Sequence, residues 1–187
     1  MIHVMRAEKL LADDPSENLT VAAKQYTIAS GILDYLGTNL LHRWVDNNLR
    51  PPEATADICI AFSSYYQALA QRCAVMKAIQ NPSPTPPGTL ARLAIAVFTL
   101  ANSALTTIDK LLPDVQKTIL PTLLIEMNYT RDLYLGIACY YESKALNDKG
   151  LYGAATAYCT KAKVSVSYMH HNSIFVLMLT TYTIICI

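Results

Sequence analysis

Apolar side chains recur every three or four positions along most of this chain, the period of a helix with one buried face. Residues 1–12 read as a short helix, broken by "DDPSEN", with Ser16 or Asn18 as the cap of a second helix. From about 18 to 48, Val21, Ala22, Tyr26, Ala29, Ile32, Leu33, Leu36, Leu40 and Leu41 keep helical spacing, and Gly37 marks a local bend. "RPPEA" ends that segment, because Pro51 and Pro52 cannot continue a helix. A third helix, 54–80, is apolar on more than one face and is expected at the centre. "NPSPTPPG", 81–88, is a proline-rich connector of polyproline character. A fourth helix runs from about 89 to 111, and "LPDVQKTILP" connects it, with one short turn, to a fifth at 121–148. Pro121 suits a first helical turn and Gly150 the residue just past a helix end. A sixth helix covers about 151–168. No strand alternation is sustained before residue 164. The expected fold is therefore all-α, with long antiparallel helices joined by connectors of about 5–12 residues.

The end of the chain breaks this pattern. Residues 164–187 contain no Lys, Arg, Asp or Glu, and "SIFVLMLTTYTIICI", 173–187, is rich in β-branched residues. That stretch is shorter than the ~20 apolar residues that span a bilayer. Extending it backwards would bury His170, His171 and Asn172 in the span. It reads either as a tail anchor, as an apolar terminus that the fold must mask, or as sequence foreign to the original domain. The chain thus divides into a helical core, 1–168, and a hydrophobic tail, 169–187.

Composition adds little chemistry. Hydrophobic residues make up 52% of the 187 residues and charged residues 16%, enough apolar surface for one packed domain. A net charge of +1 argues against nucleic acid as a partner. "MIHVMRAEKLLADD" lacks the apolar stretch of a secretory leader. Cys59, Cys73, Cys139, Cys159 and Cys186 form no CxxC pair and read as buried free thiols in a reducing compartment. His3 and His42 stand apart, while the adjacent His170 and His171 would point about 100° apart on a helix, which disfavours a shared metal. Glu126 and Asp132 would face different directions. No nucleophile elbow, phosphate loop or zinc-helix motif occurs. The tyrosines, twelve in all, mostly keep helical spacing and read as packing aromatics or, alternatively, as an aromatic-lined groove. No cofactor, metal or small-molecule substrate is expected. A Cys–His site assembled in space is the competing enzymatic reading.

"KGLYGAATAYCTKAK", 149–163, resembles a helix of a tetratricopeptide repeat, but no second copy occurs at the repeat period of about 34 residues. A wider resemblance, from about 19 to 163, is to the central helical part of the BRO1 domain family. It rests on "AAKQYTIASGILDYLGTNLL", "LAQRCAVMKAI", "LARLAIAV" and the run "LPDVQKTILPTLLIEMNYTRDLYLGIACYYESKALNDKGLYGAATAYCTKAK", in that order. The resemblance implies a tetratricopeptide-like helical stack and a non-catalytic scaffold in endosomal sorting. It also implies a cytoplasmic protein peripherally associated with the endosomal membrane. The implied partner is the C-terminal helix of an ESCRT-III subunit of the Snf7/CHMP4 type, laid into an apolar groove. Full domains of the family are about twice as long, and the resemblance stops near Lys163. A shortened product with a replaced tail is therefore expected. The alternative reading is a helical-repeat adaptor for another peptide, unrelated to ESCRT.

The resemblance also carries the family's partner-binding patch onto this sequence. A family aromatic falls on Ala74, a family isoleucine on Thr89 and a family leucine on Leu93. Leu93 alone keeps the family type. Alanine and threonine bury less area than the residues they replace, a loss on the order of a few kcal/mol. Leu90 and Val97 are candidates to substitute after a small rotation, or else core residues of the fourth helix.

Overall fold

A computed structural model describes residues 1–43 and 54–170, and the side chains of all of these except 15, 16, 42 and 166–170. The break expected at Pro51–Pro52, the end of the second helix beyond residue 43, and the tail at 173–187 lie outside the described residues. Within the described residues seven α-helices run in order: α1 (Ile2–Asp13), α2 (Pro15–Tyr35), α3 (Ala56–Gln80), α4 (Pro87–Asp109), the single turn α5 (Pro113–Gln116), α6 (Pro121–Asp148) and α7 (Tyr152–His170). Among the described residues there is no strand. The all-α expectation holds.

Local chemistry sets the ends. Asn18 does not cap α2, and the side chain of Ser16, the other expected cap, lies outside those described. Asp14 caps it, its Oδ1 accepting the Glu17 N–H at 3.3 Å, and Pro15 takes the first helical position. Asn18 instead donates its side-chain amide to the Leu10 carbonyl at 3.0 Å, closing the end of α1. Thr55 caps α3, its Oγ1 accepting from the Ile58 N–H at 3.2 Å. The fourth helix begins two residues earlier than expected because Pro87 fits a first turn. Its far end is closed by Gln116 in α5, whose side-chain amide reaches the carbonyls of Ile108, Asp109 and Leu111 at 2.9–3.2 Å. At the end of α6, Gly150 adopts φ 75°. Its N–H donates to the Asn147 carbonyl and that of Leu151 to the Leu146 carbonyl, a Schellman stop that turns the chain into α7.

The bend expected at Gly37 is a π-helical turn, Leu36–Leu40, followed by a 3-10 turn, Leu41–Arg43. Its cause is close approach. A Cβ on Gly37 would lie 3.1 Å from the Ala56 carbonyl oxygen and 3.1 Å from Ile60 Cγ1. The end of α2 therefore presses on the start of α3. At the opposite end Lys77 Nζ donates to Thr20 Oγ1 at 2.7 Å, which makes α2 and α3 antiparallel.

Each long helix packs on the one before it: α1 on α2, α2 on α3, α3 on α4, α4 on α6 and α6 on α7. The third helix is central, as its apolar faces predict. Ala61, Tyr65, Leu69 and Cys73 enter one cluster, while Ala68 and Val75 enter another. The first cluster joins α1, α2 and α3 to the end of α4 and the start of α6. The second joins α3, the first part of α4 and the middle of α6. By length and apolar composition α4 matches a membrane span. Here it lies between α3 and α6 with Leu90, Ala94, Val97 and Ala101 buried.

Candidate partner-docking face

The short connector 81–86 brings the end of α3 beside the start of α4, and Thr85 Oγ1 ties it back to the Ala78 carbonyl at 3.0 Å. Ala74 stands six residues before the end of α3, and Leu93 six residues after the start of α4. At 1.5 Å per residue both lie about 9 Å from the connector, so two antiparallel helices carry them to one level.

Their exposure differs. Ala74 and Thr89 are exposed, and Leu93 is half-buried against the second core cluster. Leu90 and Val97 are core residues, at 6% and 0% exposure. They point between the helices, following the spacing Leu90, Ala94, Val97, Ala101, and offer no surface to a partner. The surface available here is therefore shallow: a methyl at Ala74, the outer half of Leu93 and, about one turn nearer the connector, the side of Thr89.

Helical spacing holds one more feature of this face. Lys77 and Arg92 are exposed, each three residues beyond a patch residue, Ala74 and Thr89, and such pairs are neighbours on a helix surface. Arg92 Nε is held by the Gly88 carbonyl at 3.2 Å. Lys77 Nζ is engaged by Thr20 on α2, so Arg92 is the basic group next to Thr89 on α4. Other exposed apolar residues of the pair, Ile79 at 42% and Ile95 at 40%, face elsewhere. Ile95 lies on nearly the opposite side of α4 from Leu93.

The polar groups of the interior do a different job. In the first cluster Tyr65 Oη lies 3.5 Å from Thr130 Oγ1, linking α3 to α6, and Ser30 Oγ lies 2.9 Å from Ser63 Oγ, linking α2 to α3. Burial pushes the Tyr65 phenol far above its usual range, and the negative charge of Glu126 adds to it. Burial raises Tyr26 likewise, with the Arg72 guanidinium opposing. It also raises Tyr66, where Glu8 and Glu126 contribute. Glu8 itself is raised, by burial and then by Glu126, with Arg72 opposing. Burial thus favours the neutral phenol throughout this cluster.

Of the four described cysteines, Cys59, Cys73 and Cys139 are buried and free, and burial raises each thiol above its usual range. Cys159 is exposed on α7, which departs from the expectation that all are buried. Cys186 lies outside the described residues. Among the described residues no three His, Cys, Asp or Glu side chains are placed to hold a metal. Asp132 pairs with Arg131 at 2.7 Å, whereas the charge of Glu126 acts on Tyr65 and Glu8.

Neither the curated proteins nor the solved structures offer a match to this chain. The sequence profile of the BRO1-like domain does match, from residue 7 to residue 181. That span runs past Lys163 and into the apolar tail. With nearly its whole length matched, the chain belongs to the BRO1-like domain family, a family of protein-interaction adaptors.

Proposed function

We propose that this chain is a non-catalytic adaptor that receives the C-terminal helix of an ESCRT-III subunit of the Snf7 type. The helix would lie on the face formed by Ala74, Thr89 and Leu93. The reading includes a cytoplasmic protein peripherally associated with endosomes. One observation supports it: Ala74 and Leu93 come to one level of α3 and α4, Thr89 sits about a turn nearer the connector, and each has accessible surface. The shallowness of the patch makes the expected affinity low, because Ala74 and Thr89 supply little apolar area.

Isothermal titration with a synthetic ESCRT-III C-terminal helix tests this. The expected result is weak binding that is lost in Leu93→Asp and in Thr89→Asp, the second a change at an exposed position. Ala74→Phe with Thr89→Ile restores the missing area and is expected to tighten binding by at least about tenfold. Circular dichroism of each variant separates lost binding from lost fold. Absence of binding by both the native chain and the restored variant would overturn the reading. It would favour instead a helical-stack adaptor for another peptide, for which the departures at Ala74 and Thr89 speak.

A further inference from the structure

Four of the nine prolines, Pro82, Pro84, Pro86 and Pro87, crowd into the connector between α3 and α4 and the first position of α4. A residue that precedes proline is biased away from helix towards extended backbone, and Asn81, Ser83, Thr85 and Pro86 all do so. Both ends of the connector show it: Asn81 has φ −62° and ψ 126°, and Pro86 has φ −54° and ψ 137°. Residues 79–84 are exposed without interruption.

Two hydroxyls precede prolines here, Ser83 before Pro84 and Thr85 before Pro86, and no other Ser–Pro or Thr–Pro pair occurs in the sequence. The fold treats them differently. Thr85 is half-buried, and its Oγ1 donates to the Ala78 carbonyl at 3.0 Å. Ser83 lies at the exposed tip, where its backbone N–H donates to Asn81 Oδ1 at 3.0 Å. That bond fixes the turn without using the hydroxyl. A kinase that reads an acceptor hydroxyl followed by proline needs an exposed, non-helical stretch, and Ser83 offers one.

The neighbouring groups suit a phosphate. Helix α4 is 23 residues long and begins at Pro87, so a partial positive charge lies at the connector's end. Arg92 folds back over that first turn, its Nε donating to the Gly88 carbonyl at 3.2 Å, which carries the guanidinium towards the connector. We propose that Ser83 is a phosphorylation site for a proline-directed serine/threonine kinase, and that Arg92 and the start of α4 hold the phosphate. In the transfer the Ser83 oxygen bonds to the γ-phosphorus of ATP and the bond from that phosphorus to ADP breaks. The hydroxyl proton passes to the kinase's catalytic aspartate. The phosphate would neutralise the basic group next to Thr89, beside the candidate face. The site itself does not depend on which partner docks there.

Incubating the full chain with ATP and a mitogen-activated protein kinase tests this, with the product mapped by tandem mass spectrometry. One phosphate is expected, on Ser83. Ser83→Ala should abolish incorporation, and Pro84→Ala should slow it several-fold. The phosphorylated chain should melt about 2 °C higher than the unmodified chain at low salt, and Arg92→Gln should remove most of that gain. Phosphate on Thr85 or elsewhere in place of Ser83, or undiminished transfer to Pro84→Ala, would overturn the site. So would a synthetic peptide of residues 77–90 that is phosphorylated while the folded chain is not, and so would failure of both. A melting temperature unmoved by the phosphate, or a gain unchanged in Arg92→Gln, would overturn its capture at the start of α4.

Discussion

The two core clusters mix large and small side chains in different proportions. At the junction of α1, α2, α3 and α6 the centre is occupied by Tyr26, Tyr65, Leu19 and Met127, none more than 1% exposed. Between α3, α4 and α6 the centre is Ala68, Ala94, Ala101 and Ala138, with Val75, Val97 and Tyr134. Aromatic and long aliphatic side chains remove much apolar area from water and fix helices through shape. Alanines remove little, but let helix axes come close. Stability is therefore concentrated in the first cluster. The candidate docking face lies over the second, against which Leu93 packs. The candidate face thus overlies the cluster richer in alanine, while the largest buried side chains lie in the other.

Substitutions can break this contrast. Tyr65→Ala should have the largest effect, destabilising by about 3–5 kcal/mol in urea denaturation, since it empties the first cluster and leaves Thr130 without its partner. Val97→Ala in the second cluster should cost about 2 kcal/mol. An equal loss from the two would end the distinction. Gly37→Ala probes the seam between α2 and α3. The added methyl meets a backbone oxygen and two side chains, so a net loss of about 1 kcal/mol is expected despite the helix propensity gained.

The smallest effect concerns charge at the edge of the first cluster. Glu8 has its carboxyl raised, by burial and by the neighbouring Glu126. The folded state thus holds the proton more tightly than the unfolded chain. The contribution of this group to stability is full below the unfolded value and is lost as pH rises through the folded one. Glu8→Gln should therefore raise the melting temperature slightly at pH 8 and leave it nearly unchanged at pH 3. A destabilisation at pH 8 would show that attraction to Arg72 dominates.

Much of this architecture is legible in the apolar spacing. The limits of α6 can be read directly, because Pro121 and Gly150 act through local backbone geometry that needs no tertiary partner. The central place of α3 is equally legible in its two apolar faces. Contact between distant segments is absent from local sequence. The π-helical turn at Gly37 exists because Ala56 and Ile60 crowd it, and those residues arrive from the next helix. Asp14 caps α2 in place of Asn18, which is drawn back to α1. At the candidate face, the family resemblance groups Ala74, Thr89 and Leu93. Leu90 and Val97 are ambiguous in sequence, since their helical period describes a packed stripe as well as an exposed one. Only the positions of α3 and α6 decide that they point inward.

The connectors on either side of α4 differ in a way that matters for anyone wishing to attach a probe. Between α4 and α6 a single amide, Gln116, holds three carbonyls at once. An inserted domain there would pull that amide away and unravel the end of α4. Between α3 and α4 the tip at 82–84 is exposed, and its neighbours Asn81 and Thr85 supply the hydrogen bonds at its base. A fluorescent reporter grafted after Ser83 would ride on that base close to the candidate face, outside the helices themselves.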